Sequence, residues 1–371
     1  MLISILKKIG AAFLSLWIIS ILIFLLSKAV PGDPVDDRLA LNFDTTFEGN
    51  YEKEYARLKK ELFLDLPYFY FALAPNHFPK DIQALASKAD VQAKRKDFFS
   101  DRGLFLPTLR WHGLQNQYHK WLFNSGLSIS DGSPVNYKIK RAMVWTVFLV
   151  LTSIIFSYFF GIGIGLLLSS IRSKKVVRWL EGLLFGIYAI PVFWLATLLL
   201  VFFTTKEYGA WTNIFPTVGL SPIDVGDPWY LRLSKYGSQL ILPTVVLVLH
   251  NLAFISTLTK RNIDKSKKMG FVTTSKAYGF SKKEVLFKEV LPFSLIPLIT
   301  SVTSAIPAAI SGSLVIEIIF NIPGMGRLLY KSILNYDWPV VFPVVMIIAC
   351  FTFLSFLIAD ILYRTVDPRI S

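Results

Sequence analysis

Six stretches of the chain carry no Asp, Glu, Lys or Arg over more than eighteen residues: 9–27, 142–171, 182–205, 236–259, 290–316 and 338–359. A hydrocarbon core of ~30 Å needs about 20 helical residues, so each stretch predicts a membrane span. The thirty-residue run 142–171 exceeds that need and is expected to tilt or to emerge at one end. Lys7 and Lys8 before the first run give it the basic start of a signal peptide. The run is long for that role, and no small-residue cleavage site follows before Pro31, so it reads as a retained span with its N-terminus inside.

Residues 33–137 are polar, with charges of both signs. Within them Tyr55, Leu58, Leu62 and Leu66 recur at helical spacing and predict an amphipathic helix over 52–66, ended by Leu66-Pro67. A short helix is expected around 82–89. Trp111, Tyr118, Trp121 and Phe123 suit a segment lying at the membrane surface, where amphipathic aromatics collect.

The loop 260–292 has an order of its own. Phe271, Ser275 and Tyr278 lie near one helical face, and Gly279 then breaks the helix. Ser281 can cap a second helix, with Glu284 three residues on completing a capping box. Leu291-Pro292 is expected to close that second helix as the next span begins. Two short helices joined at a glycine make a docking surface; the plainer alternative is a solvated basic loop.

Small residues and prolines punctuate the spans. Gly161, Gly163 and Gly165 fit close helix packing. Pro191, Pro297, Pro307 and Gly312 interrupt their runs, and bends of this kind line cavities. The run 290–316 is therefore the candidate pore wall.

Charge fixes the orientation. Arg172, Lys174, Lys175 and Arg178 crowd one short loop, and 260–292 carries nine Lys or Arg against three acidic residues. Loops 206–235 and 321–337 carry three and two positives. The positive-inside rule puts the dense loops and both termini in the cytoplasm.

Composition agrees. The 371 residues are 53% hydrophobic, too apolar for an ordinary soluble domain. The net charge of +14 does not make a nucleic-acid patch, because 33–138 holds 14 basic and 14 acidic residues. The excess sits in the spans and their short loops, where anionic lipid is the simpler partner. The single Cys350 excludes an intrachain disulfide and a thiolate metal cluster.

Candidate chemistry is sparse. Glu317 lies near the end of the fifth run; an acid costs ~3 kcal/mol at mid-bilayer and less near the interface, so it is expected to face a cavity or a partner. His250 lies mid-span, and His77, His112 and His119 are scattered without HExxH or cysteine partners, so no metal site is expected. Asp360 and Arg364 form a structural i,i+4 pair. No phosphate-cradling GxxxxGK[ST], no GxSxG and no triad spacing occurs, so no catalysis by this chain is expected.

Several blocks together resemble the peptide and nickel permease family of ABC importers. They are Pro31-Gly32-Asp33-Pro34, Ala189 to Trp194 (AIPVFW), Glu317 to Leu328 (EIIFNIPGMGRL), Asn335 to Val341 (NYDWPVV) and Val366 to Arg369 (VDPR). The inner loop resembles the EAA loop of such permeases: Gly279 and the later Leu291-Pro292 keep its spacing, while Thr273-Thr274-Ser275 stand where Glu-Ala-Ala is usual. Tyr188 to Pro191 and Pro228-Trp229-Tyr230 lean toward the oligopeptide and microcin-C-like branch. The family usually has a shorter first external loop, which makes about 68–109 an insertion.

The resemblance implies an all-α integral membrane protein, six transmembrane helices of the type I importer permease kind with an extended external loop. Its parts are a first helix at 1–32, an external region at 33–138 and a five-helix core at 139–371 holding the coupling loop 260–292. It further implies an inner-membrane transport subunit for peptides, with nickel import and a non-ABC secondary transporter as alternatives. The implied partners are a second homologous permease, two ATPase subunits and an external solute-binding protein. ATP and magnesium would belong to the ATPases, with no cofactor on this chain. Thr273, Thr274, Ser275, Ala277, Tyr278, Gly279, Phe280, Leu291 and Pro292 are the implied ATPase-coupling residues. From their own chemistry, Glu317, Pro307, Pro323, Gly324, Gly326 and Arg327 are the candidate path or external-contact residues, with a plain interhelical turn as the alternative for 321–329.

Overall fold

The computed structural model describes residues 2–29, 32–33, 35–36, 39, 51–75, 92–93, 107–123, 126–207, 209, 212–216, 219 and 229–366. In chain order the elements are α1 (Leu2–Ala29), α2 (Tyr51–Glu61), β1 (Phe71–Pro75), β2 (Pro107–Trp111), α3 (Gln117–Phe123), α4 (Val135–Ser170), α5 (Lys174–Ala189) and α6 (Val192–Thr204). Then follow α7 (Trp229–Ser266), α8 (Gly270–Ala277), α9 (Lys282–Glu284), a π turn (Val285–Val290), α10 (Leu291–Ile319), α11 (Met325–Leu334) and α12 (Trp338–Val366).

Among the described residues, four segments are long and apolar enough to cross a membrane: Ile9–Ala29, Val135–Ser170, Tyr236–Ser266 and Trp338–Ile358. Residues Leu291–Ile319 form α10, one continuous helix of 29 residues, so Pro297, Pro307 and Gly312 do not interrupt it as expected. The run 182–205 is not one rod. It spans α5 and α6, which meet at 95°. Pro191 causes the break: it offers no N–H and pushes the preceding Ile190 out of the helical region, to ψ 124°.

Two compact units result. The first comprises residues 1–10, 141–328 and 348–371. Its main core joins Leu149 of α4, Leu195 and Ala196 of α6, Leu240, Leu242, Val246 and Leu247 of α7, and Ile316 and Phe320 at the end of α10. α4 lies hard against α7. A Cβ at Gly161 would fall 2.6 Å from the Ile255 side chain, and one at Gly165 would fall 2.6 Å from the Ser256 carbonyl oxygen. Gly163 faces open space, so two of the three glycines serve packing.

The second unit comprises residues 11–140 and 329–347. Here Tyr118 of α3 is fully buried within the protein: its ring packs on Phe24, Phe69 and Trp121, and its hydroxyl meets Ser20 Oγ at 2.6 Å. Trp111 and Phe123 do stand exposed. α2 buries Tyr55 and Leu58 against Val35 and Leu39. It ends at Glu61, earlier than Leu66, because Phe63 takes a left-handed conformation at φ 57°. Phe63 and Leu64 then donate backwards to the Lys60 and Lys59 carbonyls, closing the helix without glycine.

β1 and β2 pair antiparallel from Phe71↔Trp111 to Pro75↔Pro107, so the two ends of the expected insertion are pinned side by side. The expected helix at 82–89 lies outside the described residues. Asp337, 1% exposed, accepts from Ser128 Oγ at 2.5 Å, Ile129 N–H at 2.9 Å and Ser130 Oγ at 3.0 Å. Lys138 Nζ stands 3.8 Å from the same carboxylate. The NYDWPVV block thus fixes the turn before α4.

Candidate functional site

The inner loop is built from local signals upward. α8 ends in a complete C-terminal motif: Gly279 N–H donates to the Lys276 carbonyl and Phe280 N–H to the Ser275 carbonyl. Gly279 sits at φ +86°, a region closed to most side chains. Ser281 then starts α9 with the expected capping box. Its hydroxyl accepts from Glu284 N–H at 3.2 Å, and its own N–H donates to Glu284 Oε2 at 3.0 Å. Those bonds from Ser281, with Lys288 nearby, hold the Glu284 carboxyl below its ordinary range.

The expected stop at Leu291-Pro292 does not occur. The helix runs on through the π turn into α10, with Pro292 in its first turn. Leu291 N–H reaches the Leu286 carbonyl five residues back, which shifts the register where proline offers no donor.

Below this hairpin lies a buried base of Ile263, Val272, Val285 and Val290. Phe271 packs on that base half-buried, while Tyr278 stands 80% exposed, so the expected common face of Phe271, Ser275 and Tyr278 is divided. Thr273, Thr274 and Ala277 are exposed as well. Phe280 and Phe287 join Tyr278 as exposed aromatics amid Lys276, Lys282, Lys283 and Lys288. The base is tied to the spans. Lys267 Nζ donates to the Ser169 carbonyl at 2.8 Å, Ser294 Oγ to Ser266 Oγ at 3.0 Å, and Lys260 Nζ meets Glu181 at 3.0 Å.

At the other end of α10, Glu317 is fully buried. Its carboxylate accepts from Thr146 Oγ1 at 2.7 Å and from Arg327 N–H at 3.0 Å, with Ser313 and Gly326 N–H adding to it. Thr146 Oγ1 in turn accepts from Met325 N–H at 2.7 Å. The carboxylate therefore caps the N-terminus of α11, where orphan N–H groups and the helix dipole favour negative charge. A Cβ at Gly324 would fall 2.3 Å from Glu317 Cδ, and one at Gly326 would fall 2.5 Å from Leu314 Cα. Both positions need glycine for close approach. Pro323 and Arg327 are half-buried, and the Arg327 side chain donates to the Asn321 carbonyl at 3.0 Å. Pro307 belongs to α10, and its side chain lies outside the described residues, as do those of Asp360 and Arg364. Thr146 gave no sequence signal, being one threonine inside an apolar run.

Residues 161–371 match the profile of the binding-protein-dependent transport system inner membrane component family. The chain belongs to this family. It is a permease subunit of an ABC importer and a multi-pass membrane protein. It is 33% identical to the oligopeptide transport system permease protein AppB of Bacillus subtilis (strain 168) over 285 residues, 75% of this chain and 85% of that protein. It is 30% identical to the inner membrane ABC transporter permease protein YejB of Escherichia coli O157:H7 over 264 residues, 69% of this chain and 72% of that one. A putative peptide transport system permease protein of Brucella abortus (strain 2308) is 27% identical over 367 residues, 99% of this chain and 98% of its own. An inward-facing structure of the MetNI methionine ABC transporter overlaps 62% of this permease and 97% of its own chain, with TM-score 0.49 and 17% identity.

Proposed function

We propose that this permease forms half of a translocation path for peptides, paired with a second homologous permease and driven by two ATPase subunits. A solute-binding protein delivers the peptide from outside, and ATP and magnesium stay with the ATPases. The substrate class follows the relatives, two of which are named for oligopeptide or peptide transport. In this reading both termini and residues 260–292 face the cytoplasm. The turn 321–329, with Pro323, Gly324, Gly326 and Arg327, meets the binding protein or closes the path, and Glu317 holds that turn in shape.

The observation that carries the reading is the hairpin at Gly279. Exposed Tyr278 and Phe280 flank a left-handed backbone position that calls for glycine, above a buried base bonded to the spans. Exposed aromatics on a rigid base suit insertion into a groove on the ATPase, with the neighbouring lysines as a charged rim. Nothing lies within 4 Å of a Cβ at Gly279, so substitution there acts through backbone conformation alone. Gly279→Val should cost about 1–2 kcal/mol locally and misdirect both aromatics. Normal membrane insertion, weakened ATPase copurification and lost peptide uptake are expected. Wild-type copurification and uptake would show that the hairpin is not the coupling element.

A further inference from the structure

The second unit holds a cavity of about 350 Å³ at the C-terminal end of α1, large enough for a small polar ligand. Lys28, Lys59 and Lys120 line it, together with Trp121, Trp338 and Phe342. Lys28 Nζ donates to Gln117 Oε1 at 2.6 Å and lies over the rings of Phe24 and Tyr68 at 5.4 and 5.5 Å. Lys120 Nζ lies over the Phe63 ring at 5.5 Å. Among the described residues, neither of these two ammonium groups meets a carboxylate. The acid that lines the cavity, Asp33, is already engaged, accepting from Val35 N–H at 3.0 Å and Tyr55 Oη at 2.9 Å. Trp121 Nε1 is buried with no acceptor among the described residues.

The polar side of the cavity is thus rich in donors and short of acceptors, and its other walls are aromatic. We propose that it binds the headgroup of an anionic phospholipid. Phosphate oxygens supply the negative charge that Lys28 and Lys120 do not meet and an acceptor for Trp121 Nε1, and the glycerol lies against Trp338 and Phe342. The position favours a lipid over a dissolved phosphate ester. Lys28 is in the last turn of an apolar helix, where a lysine reaches the headgroup layer. Leu22, Leu25 and Leu26 of that helix stand exposed to acyl chains. A zwitterionic choline headgroup would bring a cation against two lysines and is disfavoured.

The test uses the full-length permease, purified in detergent with its copurifying subunits. Thermal unfolding is followed during titration with dioleoylphosphatidylglycerol, dioleoylphosphatidylcholine or soluble sn-glycerol 3-phosphate. Phosphatidylglycerol alone should raise the midpoint saturably. Lys28→Gln and Lys120→Gln should each raise the half-saturating concentration about fivefold, whereas Lys53→Gln on exposed α2 should not. If Lys28→Gln fails to fold, Trp121→Phe, which removes the unbonded N–H, serves instead and should also weaken the effect. Equal protection by phosphatidylcholine, or unchanged titrations in the cavity variants, would overturn the proposal. A soluble ester that protects as well as the lipid would overturn the lipid assignment and make this a site for a dissolved phosphate.

Discussion

Glu317 is a buried acid in an apolar stretch, where an unpartnered carboxyl group is costly, and the chain meets that cost from within. Four donors from α4, α10 and α11 converge on the carboxylate, so its burial leaves no lone pair stranded. The sequence showed that an acid here needs a partner. It did not show that the chain's own backbone ten residues on is among the partners, since that depends on Gly324 and Gly326 letting the turn close on the carboxylate. A methyl group at Gly326 meets the Leu314 backbone, which cannot swing aside. Gly326→Ala should therefore destabilise the protein by about 1–3 kcal/mol. Gly182→Ala, a helical position where a Cβ meets nothing within 4 Å, should be neutral or stabilising by up to about 1 kcal/mol. Thermal unfolding of the two variants in the same detergent checks the contrast. Equal loss in both would mean that the tight turn around Glu317 is not under packing constraint.

At the scale of elements, what was legible was whatever has a local cause. The capping box at Ser281 and the helix end at Gly279 were readable because Ser, Glu and Gly act within three or four residues of themselves. The end of α2 was not, because Phe63 occupies a left-handed position that usually calls for glycine. The continuity through Leu291-Pro292 was hidden for a similar reason: a π turn removes the need for the donor that proline lacks. The break at Pro191 was visible, but its 95° angle was not, since packing around Leu195 and Ala196 sets where α6 goes. The local cap has a local consequence. Ser281→Ala should remove about 1 kcal/mol from the start of α9. Faster amide exchange should appear across 281–290, with 236–259 unchanged. Glu284 works in the same box. Its carboxyl is lowered from 4.5, so its contribution is present above pH 4.5 and fades as pH falls through the lower folded value. Exchange at 281–290 that is indifferent to Ser281→Ala would mean the π turn and α10 hold this hairpin without the cap.

At the scale of the whole molecule, the membrane class and the family were legible from uncharged runs and dispersed motifs, because lipid imposes length and apolarity on every span. Orientation rests on charge. Residues 172–178, the loop after α4 and the first turn of α5, carry four positives and 260–292 carries nine, against three in 206–235 and two in 321–337. With the dense loops inside, residues 51–75 and 107–123, which include the β ribbon, are expected outside. A reversed chain would have to translocate both dense loops, against the charge bias that sets topology. Single cysteines on a Cys350→Ala background read this directly, since Cys350 is the chain's one thiol. Tyr51→Cys and Trp111→Cys, at exposed positions, should react with a membrane-impermeant maleimide added to intact cells. Ser281→Cys and Lys276→Cys, also exposed, should react only after the cells are opened. Labelling of Ser281→Cys from outside in intact cells would invert the topology and place the Gly279 hairpin on the face that no ATPase can reach, removing the coupling role along with the orientation.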